Sequence, residues 1–183
     1  MDDQQPIADL LQQARDHLYD QNRQDTAGVL RTAWDAFCVA GAVTHVLTIC
    51  ADPDGYGPLW ETASPVLSTA ITELRRALSL PEGLPTQLNP AGGPDDRIDD
   101  QTASRVQRGL HALAVELNAA LSEAAGHARL TGDRHALQQA TMLASELADC
   151  YEGRLRSYLN PWREHFGPGS FVVKGRGDAH RRR

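Results

Sequence analysis

Lysine is nearly missing from this sequence: Lys174 is the only one, and the other 17 basic residues are arginines. With its abundant alanine, that bias fits coding in a GC-rich bacterial genome and says nothing of activity. Aromatic side chains are scarce too, at 5% of residues, so leucine, alanine and valine must fill the interior, and such a core favours helices. Cysteine is limited to Cys38, Cys50 and Cys150. An odd count with no Cys-x-x-Cys spacing argues against a disulfide scaffold. Each thiol lies in an apolar stretch where it behaves as a small hydrophobe, so a reducing cytoplasm is the expected setting.

The N-terminus, Met1-Asp2-Asp3-Gln4-Gln5, is acidic and polar, the reverse of a secretory signal. Only Ala33 to Ala51 approaches the length of a membrane span, and it carries Asp35 and His45, which lipid would not tolerate cheaply. A buried helix is expected there, and no membrane contact. Several chemistries also lack their residues. Paired Glu-x-x-His steps of a di-metal bundle, His-Glu-x-x-His, a Gly-x-Ser-x-Gly elbow, a phosphate loop and a dinucleotide fingerprint are all absent. Asp95, Asp96, Asp99 and Asp100 cluster, but without the alternating oxygens and glycine of a calcium loop. No metal and no cofactor is expected.

What is present is helical periodicity. A chain of 183 residues can bury one core unaided. Ile7, Leu10, Leu11, Ala14 and Leu18 recur at steps of three and four, predicting a first helix from Pro6 to about Asn22. Asp25 reads as the N-cap of a second helix, apolar on most sides, that ends at Asp52-Pro53-Asp54-Gly55 and belongs in the middle of a bundle. Ser64-Pro65 reads as the start of a third helix lasting to Pro81.

Residues 81 to 94 hold four prolines and three glycines and can sustain neither helix nor central strand. A fourth helix opens in the acidic run 95 to 100, with Ala103, Val106, Leu110, Leu113, Leu117, Ala120 and Ala124 as its seam. Thr131-Gly132-Asp133 reads as a terminal glycine followed by a new N-cap, and a fifth helix returns beside the fourth as an antiparallel hairpin. The expected fold is all-α: a four- or five-helix up-down bundle over 1 to 162, with a long Pro/Gly-rich crossover loop at 81 to 94. A short, irregular basic tail, 163 to 183, follows.

Functional candidates fall into three groups. Asp35 and His45 are ionisable residues in an apolar helix, and with Trp34 and Phe37 they mark a possible ligand pocket beside the second helix. Ten residues apart, they fall about 80° from alignment, which disfavours a cooperating pair. Second, Arg129-Leu-Thr-Gly-Asp-Arg-His135 and Arg105-Val-Gln-Arg-Gly-Leu-His111 resemble the Arg, spacer, His arrangement of HEPN-type ribonucleases. That resemblance implies a phosphate-binding arginine and an acid-base imidazole. With 17 Arg and 7 His, about two such matches arise by chance, and two are present. Leu130 and Val106 also stand where that family carries a polar residue.

Third, residues 163 to 183 hold Arg163, Lys174, Arg176, Arg181, Arg182 and Arg183 against Glu164 and Asp178, a net +4. The whole chain is −6, so the other 162 residues carry −10, which argues against a helical body that wraps nucleic acid. Only the tail is suited to phosphate or an acidic partner. The functional expectation is a non-enzymatic bundle that binds another protein or itself, as a homodimer for instance. A ligand-binding bundle is the first alternative and a HEPN-like ribonuclease the second.

Overall fold

The chain was analysed as a computed structural model that describes residues 5–50, 57–85 and 98–154. Five helices make up the described residues: α1 (Gln5–Asp20), α2 (Thr26–Cys50), α3 (Gly57–Leu74), α4 (Asp100–His127) and α5 (Thr131–Tyr151). No strand occurs among them. The fold is an all-α bundle, as the periodicity requires. No helix among the described residues is long and apolar enough to cross a membrane.

Side-chain contacts fix the helix directions. Leu11 of α1 lies beside Gly109 of α4, where an added Cβ would stand 3.0 Å from Leu11 Cδ1, so the missing side chain lets the two helices close. Twelve residues further on, Arg23 reaches Glu116 and Glu123, so α1 and α4 run parallel. Gln21 and Thr32 pair across the short α1–α2 turn, which makes that pair antiparallel. Arg75, just past the end of α3, lies over the Trp34 ring early in α2, and α3 therefore runs against α2. In the α4–α5 hairpin Gln107 donates to Tyr151 O at 2.7 Å and Asn118 to Thr141 O at 3.0 Å. It follows that α3 and α4 point the same way.

One core unites the five helices. Leu11 and Leu18 of α1, Leu30, Trp34, Phe37 and Leu47 of α2, and Leu67 and Leu74 of α3 all belong to it. They pack with Leu110, Leu113, Leu117 and Leu121 of α4 and Leu137 and Leu147 of α5. Each such side chain contributes roughly 1.5 to 3 kcal/mol through burial, which helix propensity alone could not match. α2 packs against α1, α3 and α4, in keeping with its nearly all-round apolar surface.

Helix ends follow the sequence at two starts and depart from it at both ends of α3, which stops at Leu74 rather than Pro81, and at the α4–α5 turn. Asp25 caps α2, accepting from Gly28 N–H at 3.1 Å, and Asp99 caps α4, accepting from Thr102 N–H at 2.7 Å. That bond holds the Asp99 carboxyl below its ordinary value. Asp95 and Asp96 lie outside the described residues. The third helix, by contrast, does not start at Ser64-Pro65: it starts at Gly57, and Pro65 lies inside it. The ring removes one helical hydrogen bond, but Ala63, Val66, Leu67 and Ala70 continue a buried seam across it, and burial outweighs that loss. Nor does Gly132-Asp133 separate α4 from α5. α4 ends on an extended Ala128, Leu130 holds the N-cap of α5, and Gly132 and Asp133 already lie in the first turn.

Candidate functional site

Three places hold polar or exposed apolar groups that simple packing does not require. The first is a groove of about 410 Å³ between α1 and α2, lined by Leu10, Gln13, Ala14, His17, Asp20 and Gln21 from one helix and Thr32, Asp35 and Ala36 from the other. The Thr32 hydroxyl sits within hydrogen-bond distance of Gly28 O and Gln21 Oε1 and is thereby occupied. Partial burial in the groove pushes the Asp35 carboxyl up, an effect that the positive field of Arg31 and of His17 across the groove offsets in part.

The second place is the corner where the chain leaves α3 and the α4–α5 turn meets it. Asp133, 2% exposed, accepts from Ser79 N–H at 3.0 Å and from Ser79 Oγ at 2.6 Å, so it ties the post-α3 segment to the start of α5. Gly132 lies against Leu78 at the same place, where a Cβ would stand 3.4 Å from Leu78 Cγ, in ordinary contact. Leu78 and Leu130 are nevertheless 74% and 47% exposed. Arg76, Arg129 and Arg134 are close to them in sequence and exposed, with Arg134 donating to Ala128 O at 2.7 Å and Arg76 paired with Glu73. The corner thus combines exposed leucines and exposed arginines on a chain whose net charge is −6.

The third is Glu146, 1% exposed on α5, whose Oε1 has no hydrogen-bond partner among the described residues. Nearby, Tyr151 and Thr44 share a hydrogen bond of 2.9 Å between α5 and α2. Cys150 beside them is pushed up to about 12, by burial first and then by Glu146 and Asp149. Cys38 is pushed up to about 11, chiefly by burial, and its Sγ lies 3.6 Å from Pro85 O. Both thiols therefore stay protonated and poorly nucleophilic at neutral pH.

The residues singled out from sequence are dispersed. Trp34 and Phe37 are core residues, and the Trp34 indole donates to Pro85 O at 2.9 Å, which pins the first part of the crossover to α2. Asp35 and His45 are both exposed, and of these four only Asp35 lines the groove. Arg105 is exposed on α4, while His111, six residues on, is half-buried and lies 4.0 Å from Glu152. Arg129 and His135 are exposed at the leucine corner. His111 stands by the end of α5 and His135 at its beginning, on the order of 25 Å apart along the helix, so the two arginine-histidine pairs do not form one centre. Lys174, Arg176, Arg181, Arg182 and Arg183 lie outside the described residues.

No protein-family model, curated protein or solved structure matches the chain. Among the described residues no three His, Cys, Asp or Glu side chains come together as a metal site. Several features escaped sequence reasoning. The groove draws Gln13, His17, Asp20 and Gln21 from the polar face of α1, which periodicity assigns simply to solvent. Glu146 had a legible signal, because it lies three residues after Leu143 and four before Cys150, on a buried face. Asp133 looked like a cap, and no local pattern reveals that a residue 54 positions earlier claims its carboxylate.

Proposed function

We propose that this protein is a non-catalytic helical bundle that works by binding another protein or a second copy of itself, through the corner formed by residues 76–79 and 128–134. The observation that carries the reading is the exposure of Leu78, which lies against Gly132, and of Leu130 two residues before that glycine, where the other leucines among the described residues are buried or half-buried. Leu130 is about half exposed and supplies no cap, because it occupies an N-cap position where its side chain cannot accept a hydrogen bond. Apolar side chains together with arginines have the composition of an interaction hot spot, where a few anchors supply most of the affinity.

The test is sedimentation velocity of the purified chain over a wide concentration range, with capture of the tagged chain from its host lysate. A concentration-dependent oligomer or a stoichiometric protein partner is the expected result. A strict monomer from which no protein is recovered contradicts the reading, and recovery of nuclease-sensitive RNA in its place would favour the ribonuclease arrangement of Arg129 and His135.

A further inference from the structure

We infer that the groove between α1 and α2 is a binding site for a small organic cation, an ammonium or amidinium group carried on a compact apolar body. The inference does not depend on the protein-binding reading. Its volume of about 410 Å³ falls within the range of small-molecule sites. Its lining is divided: Leu10, Ala14 and Ala36 supply an apolar floor, and His17, Asp20, Asp35, Gln13 and Gln21 supply the polar wall.

Acceptors dominate that wall. Asp20 and Asp35 accept no hydrogen bond and make no ion pair with the described residues, so two carboxylates face the groove without a bonded counter-charge. The one hydroxyl, Thr32 Oγ1, is already directed at Gly28 O and Gln21 Oε1. Arg31 and His17 act on Asp35 only through their charge, from beyond bonding distance. An anion entering here meets two carboxylates, and a neutral molecule leaves them unmatched. A cation supplies the missing charge and donates to them, and charge-assisted hydrogen bonds of this kind are the strong ones. The raised Asp35 carboxyl agrees with this geometry: its charged form is partly stripped of water and has no bonded partner.

The experiment is a titration of the full chain, followed by amide NMR, with phenethylammonium and benzamidinium as probes and benzyl alcohol and phenylacetate as neutral and anionic counterparts. The expected result is saturable binding of the cations, with shifts centred on Ala14, His17, Thr32 and Ala36. Asp35→Asn should weaken that binding by about tenfold or more, as expected for loss of a charged hydrogen-bond partner. This variant should fold, because the amide keeps the shape and removes a partly desolvated charge, and circular dichroism verifies it. Equal binding by benzyl alcohol or phenylacetate overturns the assignment. So do shifts that map elsewhere, unchanged affinity in Asp35→Asn, or no binding of either cation up to about 10 mM.

Discussion

Glu146 is the residue whose chemistry conflicts most with its surroundings. A carboxylate oxygen buried without a partner costs more than it returns, because water solvated it in the unfolded chain. Replacing it with an apolar side chain of similar length should therefore help. Glu146→Met is expected to stabilise the fold by about 1 to 3 kcal/mol, read from urea denaturation. A loss of stability would mean that the carboxylate holds α5 to its neighbours. The sequence displayed this conflict, since a charge stood on a buried face. It could not display Asp35 in the same light: the apolar run around Asp35 suggested a buried ion, whereas the helix turns that carboxylate toward a groove. His45 likewise points outward, from a helix that looked apolar on nearly every side.

At the scale of elements, the starts of α4 and α5 make a contrast. α4 begins with a capping aspartate, and α5 begins with Leu130, which leaves the first-turn N–H groups without a side-chain acceptor. Leu130→Ser or Leu130→Asp should supply the missing cap and raise stability by about 0.5 to 2 kcal/mol in thermal or urea unfolding. Unchanged or lower stability would show that Leu130 packs productively within the monomer. Asp133→Ala should act in the opposite direction. It removes the acceptor of two Ser79 hydrogen bonds at a buried position and should cost about 2 kcal/mol, with hydrogen exchange accelerated at residues 77–80 before the rest of the chain.

Helix existence was legible in the sequence because every seam repeats at three and four residues. Boundaries were less so. Pro65 imitates a helix start, and only the burial of Ala63 and Val66 on either side of it shows why α3 runs through. The site was hardest to read, because the groove pairs polar residues of two helices and the corner pairs segments more than 50 residues apart.

The whole molecule is set to weaken in alkali. Cys38 and Cys150 ordinarily titrate at 9.0 and are raised to about 11 and about 12. Tyr151, fully buried, is raised as well from 10.0, mainly by desolvation, with its bond to Thr44 acting against the shift. An acid whose folded value is raised binds its proton more tightly in the native state. Its contribution is thus whole below the ordinary value and is lost as the pH climbs through the folded one. Stability should hold from about pH 7 to about pH 9 and decline steadily toward pH 11, as followed by urea midpoints. Cys150→Ala should leave the onset near pH 9, where Cys38 still titrates in the unfolded chain, and make the decline shallower. A flat profile across this window would mean that the thiols and the phenol reach solvent in the native state.

The whole molecule also carries its negative charge unevenly, with three exposed arginines and two exposed leucines in the segments 76–79 and 128–134. The central claim is that this corner is where the protein meets its partner or its second copy. The most direct measurement compares tagged wild type with the Leu78→Ser/Leu130→Ser double variant, quantifying by mass spectrometry the protein that each retains from host lysate. The same comparison is made for an untagged second copy of the chain. Because both side chains are exposed, the variant should melt at or above the wild-type temperature, and the retained protein should fall about tenfold or more, as for loss of an interface anchor. Undiminished retention by a well-folded variant would contradict the account and move the binding surface elsewhere on the bundle.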